Sequence, residues 1–465
     1  MSSESTELDL RMCLNNITLK NFRCFESLTV DLHPNLTVLI AKNGAGKTTI
    51  LDALRIAAWP YVKGFDLGSQ TGKSATIQID DVRLQKQTDG NMEPQRNSEV
   101  RATGLLGTNE ATWMVYRESV KANTNSKLDR SAKALTDQAK AHQLKVSQGT
   151  EINLPLISYL GTGRLWYEGR YTSNATDVTL DQSEYSRLSG YLNCLTQSSS
   201  FKQFKDWYGW ISRSHFEERI LALDKKQDFE PESSLFAAAI HVVQQSINDL
   251  ITEQTGWRDI SYSAQYNQQL VLKHAEHGIL PLEFLSDGLR NMVAMVADIA
   301  FRCIKLNPHF GRDAATRTSG IVMIDEVDMF LHPQWQQTVI GSLQTAFPNI
   351  QFIVTTHSPQ VLTTIASEHI RILKSTNEGW SAERPETSPY GRESGDALAY
   401  VMDTPTRPDI PILKKVHEYE QRVRQGLENQ AETVDLKKAL DEKGVDIPEA
   451  DLALWRFLAQ HGGLT

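Results

Sequence analysis

The run Leu36-Thr37-Val38-Leu39-Ile40 feeds straight into Ala41-Lys42-Asn43-Gly44-Ala45-Gly46-Lys47-Thr48-Thr49. That junction constrains the fold more than any other feature of the chain. Thr49-Ile50-Leu51-Asp52-Ala53-Leu54 reads as a helix, so a strand, a glycine turn and a helix follow one another. This is the context that distinguishes a phosphate-binding loop from a chance glycine pair. Backbone N–H groups of Asn43, Gly44, Ala45 and Gly46, with the first turn through Thr49, can form an anion nest at the positive end of the helix. Lys47 can reach β- and γ-phosphates, and Thr48 can offer its hydroxyl to Mg²⁺. Ala41 stands where the usual pattern has its first glycine.

Composition narrows the class. A chain of 465 residues, 40% hydrophobic and 23% charged, is an ordinary globular protein of two or three lobes. Met1 to Leu10 is polar and acidic, unlike a signal peptide, and no apolar run approaches the ~18 residues of a membrane helix. A cytoplasmic protein with no membrane partner is expected. Cys13, Cys24, Cys194 and Cys303 are scattered, without metal-ligand spacing. A net charge of −9 lacks the footprint of a nucleic-acid binder. The basic stretch Lys121, Lys127, Arg130, Lys133, Lys140 and Lys145 reads first as a solvated segment and second as a DNA contact.

Residues 1–117 are expected to form the first half of an α/β core, with the phosphate loop and an antiparallel side sheet. Alternation at Ile17 to Lys20, Leu28 to Leu32, Thr76 to Asp80, Glu99 to Leu105 and Thr112 to Tyr116 supplies the side strands. Residues 118–259 read as a helical insert with one core strand at 154–160 and aromatics Tyr185, Tyr191, Phe204, Trp207, Tyr208 and Trp210 as core. Residues 260–375 return to short apolar strands, typical of a parallel sheet. Residues 376–465 read as a linker and a helical tail, in which Ile412, Val416, Tyr419 and Val423 share a face. That tail can pack on its own core or dock a partner.

Three downstream motifs carry further chemistry. Ser286 is a plausible helix N-cap ahead of Gly288, and the free N–H groups there suit a phosphate. Ile321-Val322-Met323-Ile324 ends in Asp325-Glu326; two acids at the end of a buried strand call for a partner such as Mg²⁺ for Asp325. Glu326 can then deprotonate an attacking water. Thr355-Thr356-His357 ends the next strand, placing His357 to bond a γ-phosphate or that water.

Together these motifs resemble an ABC-type ATPase. Ser286 and Gly288 resemble its signature, with Asp287 replacing a glycine; Asp325 and Glu326 resemble Walker B, Asp328 the D-loop and His357 the switch histidine. Asn21-Phe22-Arg23 resembles the segment before the loop in RecF, Rad50 and OLD ATPases, which implies a place near the nucleotide for Arg23. The strand end at Tyr159 to Arg164 is where such a family puts a switch, although no Q-loop glutamine stands out. Leu154 to Trp166, Gly190-Tyr191, Phe204 to Trp207, Glu326 to Pro333 and Tyr390 to Arg392 resemble the PtuA-type ATPases of Septu and retron anti-phage systems. That resemblance implies an ATP- and Mg²⁺-using ATPase, working as a homodimer or an assembly of dimers. Ser286 of one copy would face the nucleotide of another. It also implies a separate HNH nuclease of the PtuB kind, through which nucleic acid is reached, because the chain has no nuclease pattern of its own. A RecF-like ATPase acting directly on DNA and a nucleotide-sensing scaffold with little hydrolysis are the competing readings. A transporter ATPase fits least.

Overall fold

The computed structural model describes residues 11–461 except 68–74, 107–108, 122–123, 165–185, 197–200, 226–233, 378 and 407. Tyr185 and Trp166 therefore lie outside the described residues. Four largely apolar stretches, rich in β-branched and long aliphatic residues, become fully buried strands: Leu36–Ile40, Leu156–Leu160, Gly320–Ile324 and Ile350–Thr355. With Ile370–Thr376 they make five parallel neighbours, in the order 370–376, 36–40, 350–355, 320–324, 156–160. Gly379–Glu383 adds an antiparallel edge beside Ile370–Thr376. The sheet is thus mixed, as expected from the sequence.

Register decides where the chemistry lies. Ile324 pairs with Leu160 and Val354, Thr355 with Leu39, and Ile372 with Ile40. The carboxyl ends of the strands are therefore level. The turns after Ile40, Leu160, Ile324 and Thr355 crowd along one rim, the place where open α/β sheets bind ligands.

A second sheet of five antiparallel strands holds Phe25–Asp31, Met12–Phe22, Ser98–Leu106, Asn109–Arg117 and Lys127–Leu128, in that order. The helix Lys47–Val62 lies against it, pinned where the Trp113 indole N–H donates to the Ala57 carbonyl at 2.8 Å. Thr76 to Asp80, expected as a strand, is instead a loop entering a 3₁₀ turn at Ile79–Asp81. Alternation there serves only to bury Ala75 and Ile77. The Asp81 carboxylate accepts from the Gln78 N–H at 2.8 Å, a local bond that competes with any ladder.

The insert supplies two long helices, Phe201–Asp224 and Leu235–Thr255, with Phe204, Trp207 and Tyr208 buried. A three-stranded meander, Arg258–Ser263, Gln269–His274 and Gly278–Pro281, leads to the buried helix Asp287–Leu306. Inside that helix Arg302 pairs with Asp298 at 2.9 Å, both nearly inaccessible. The first compact unit runs to Asp403 and so takes in the edge strand 379–383, where the sequence reading drew a boundary at 375. The second unit, Thr404–Thr465, has its own small core. Helices Pro411–Arg424, Ala431–Asp441 and Glu449–His461 gather Val416, Tyr419, Val423, Leu440, Leu452 and Trp455. Among the described residues no helix is long and apolar enough to cross a membrane.

Candidate functional site

The phosphate loop is shaped by its glycines. Gly44 and Gly46 have φ of 79° and 95°, a region that favours glycine. A side chain at Gly46 would also begin 2.5 Å from the Phe25 ring, so both backbone and space exclude one. The Ala45 N–H donates to the Lys42 carbonyl at 3.1 Å and closes the turn; Asn43 and Gly44 face solvent. Lys47 opens the helix and is 7% exposed, its ammonium folded back to the Ala41 carbonyl at 2.9 Å. Burial pulls the Lys47 pKa below its ordinary value, opposed by the charges of Asp325, Glu326 and Asp328. Thr49 is buried against the same turn.

Asp325 follows the central strand and is 3% exposed. Its two oxygens are both satisfied: Thr48 Oγ1 donates at 3.0 Å and Thr355 Oγ1 at 2.6 Å. Thr48 and Asp325 thus present hydroxyl and carboxylate oxygens side by side, a hard-donor pair suited to Mg²⁺. Glu326 has φ of 48°, unusual for a side chain of its size and held from outside. Its N–H donates to Thr355 Oγ1 at 2.7 Å. Asp328 accepts from Thr356 Oγ1 at 2.6 Å, which ties the turn after Glu326 to the turn carrying His357. Ser358, next to His357, caps a short helix and donates to Gln336 at 2.6 Å.

Arg164 fixes the rim from behind. Its guanidinium donates to the carbonyls of Asp325 at 2.7 Å and Glu326 at 2.8 Å, and to Asn291 Oδ1 at 2.7 Å. Burial lowers the Arg164 pKa to about 10, against the pull of Asp325 and Glu326. Asn291 in turn donates to the Met329 carbonyl at 2.8 Å. Ser286 caps the helix carrying Asn291 by accepting from the Leu289 N–H at 3.4 Å. Gly288 lies so close to that turn that a Cβ would sit 2.5 Å from the Phe330 carbonyl oxygen.

The structure therefore brings Lys47, Thr48 and Asp325 together, with Glu326, Asp328 and His357 on adjoining turns of the same rim. Ser286 and Asp287 stand exposed at a separate helix start. The Arg23 guanidinium pairs with Asp52 at 2.7 Å and Asp81 at 2.8 Å, bracing the helix after the loop. Asn291 has no motif around it in the sequence, and Thr355 and Arg164 stand there only as members of strand ends. An arginine shortly after an apolar strand is the signal the sequence offers for Arg164.

An AAA domain model matches residues 16–255, and a second AAA domain model matches residues 171–363. The chain is 27% identical to the retron Vc95 probable ATPase of Vibrio cholerae, across 91% of this chain and 86% of that protein. It is 26% identical to the retron Ec83 probable ATPase of Escherichia coli, across 77% and 71%. A Septu protein PtuA of Bacillus mycoides is 39% identical over 21% of this chain and 13% of its own length. Among solved structures, an SMC head bound to a winged-helix domain of ScpA covers 80% of this chain and 97% of its own, at 12% identity and a TM-score of 0.48.

Proposed function

We infer, from a chain that belongs to the AAA domain family, that this rim binds and hydrolyses ATP in a retron- or Septu-type defence system and controls a separate nuclease. One observation carries the chemical half: Thr48, Asp325 and Thr355 are linked by hydrogen bonds of 3.0 and 2.6 Å beside the phosphate loop. The long match to retron ATPases supports the biological half.

In the mechanism we propose, Lys47 leaves the Ala41 carbonyl for the β- and γ-phosphates, since a charged phosphate is a stronger partner than a neutral carbonyl. The loop N–H groups of Asn43 to Thr49 hold the same phosphates. Mg²⁺, held by Thr48 and Asp325, would supply neutralisation of the phosphate charge. Glu326 takes a proton from water as the water oxygen bonds to the γ-phosphorus, and the bond from that phosphorus to the ADP oxygen breaks. His357 orients the water or the γ-phosphate. Ser286 and Gly288 act on the nucleotide of a second copy, with Asp328 at the junction. ATP therefore closes a dimer and hydrolysis opens it. Arg23 acts through the helix after the loop. The output is control of an HNH nuclease of the PtuB kind, and nucleic acid is met through that partner.

The test is turnover and binding of ATP by the full chain with and without Mg²⁺. Asp325→Asn should lose Mg²⁺-dependent turnover by ~100-fold or more, as expected when a metal-binding carboxylate is neutralised. Wild-type turnover by Asp325→Asn would defeat the assignment. Co-expression with an HNH nuclease tests the second half: its DNA cleavage should change between the wild-type chain and Lys47→Ala, and equal cleavage would refute control by nucleotide.

A further inference from the structure

The end of the insert helix Phe201–Asp224 leaves the core with its apolar side chains bare. Phe216, Ile220 and Leu223 are 56%, 57% and 74% exposed. Their spacing, i, i+4 and i+7, puts them in one stripe along the helix. Glu217 and Asp224 flank this stripe on one side and Arg219 on the other, by the same periodicity. None of these three charges has an ion-pair partner among the described residues. Arg213, a turn earlier on the acidic side, is turned to Tyr262, where it donates to the hydroxyl at 3.2 Å and lies over the ring. Arg219 shares a recess with Arg312, beside His215 and His241, so Arg312 extends the basic flank.

An apolar stripe with one acidic and one basic flank selects its own occupant. Two such helices related by a two-fold axis can lie parallel or antiparallel. In the antiparallel pair, like flanks meet, and Arg219 faces Arg219. In the parallel pair, each basic flank meets an acidic flank, on both sides of the seam. We propose that this stripe is a self-association surface that binds the same stripe of a second copy in parallel, without nucleotide. It is separate from the ATP-closed contact proposed above and does not depend on it.

The experiment is sedimentation equilibrium of the full-length chain without nucleotide. The wild type should self-associate, weakly, as suits a small seam. Ile220→Glu, which would bury a charge, should weaken association ~10-fold or more. Phe216→Ser, which adds no charge, should weaken it less. Arg219→Glu should also weaken it. Adding Glu217→Arg and Asp224→Arg to Arg219→Glu exchanges the two flanks and should restore association. Under mild oxidation Phe216→Cys should crosslink position 216 to position 216, as mapped by mass spectrometry. A monomeric wild type, an unaffected Ile220→Glu, or no recovery in the exchanged variant would overturn the proposal.

Discussion

The two ends of the proposed nucleotide site are built in opposite ways. At the phosphate loop, Lys47 and Asp325 are 7% and 3% exposed, and each polar atom is already bonded within the chain. At the signature, Ser286 and Asp287 are exposed, and only the helix behind them is anchored, through Asn291 and Gly288. A group that acts inside its own chain can be buried among partners that fix it. A group that acts on another copy has to stand at the surface on a rigid base. Arg164 connects the two ends, since one guanidinium holds both the Glu326 backbone and Asn291.

Substitutions should separate the ends. The largest effect is expected at the buried end: Lys47→Ala should abolish ATP binding, measured by calorimetry. Glu326→Gln should keep ATP binding and lower turnover by ~10²–10⁴-fold, the usual contribution of a general base. At the exposed end, Ser286→Arg should also stop turnover yet leave ATP binding by each single chain intact; lost binding would place Ser286 in its own chain's site. Arg164→Met should lower stability to urea by ~3 kcal/mol, because buried acceptors on Asp325, Glu326 and Asn291 lose their donor. It should also impair turnover. Arg23→Gln should cost only ~1 kcal/mol, as a partly exposed brace. A larger loss of ATP affinity than of stability would bring Arg23 into the site.

What could be read from sequence was whatever lies contiguous along the chain. The phosphate loop, the acid pair and the strand runs at 320–324 and 350–355 each declare themselves within ten residues, because one strand and one turn make each. The bonds that organise them do not. Arg164 meets Asn291 across 127 positions and Glu326 across 162. Thr355 looked like one more β-branched strand residue, while its hydroxyl holds both Asp325 and the Glu326 N–H. Alternation at Thr76 to Asp80 suggested a strand because burial of alternate residues looks the same in an extended loop. The edge strand 379–383 was hidden by the glycine- and serine-rich stretch around it.

The shared site can be tested by mixing. Lys47→Ala lacks a phosphate loop that works but keeps its signature; Ser286→Arg lacks the signature but keeps its loop. Random pairing of equal amounts leaves one intact composite site in each mixed dimer, so turnover should recover to roughly a quarter of the wild-type value. Turnover no higher than that of the two variants measured apart would contradict the shared site, and would place ATP hydrolysis within a single copy of the chain.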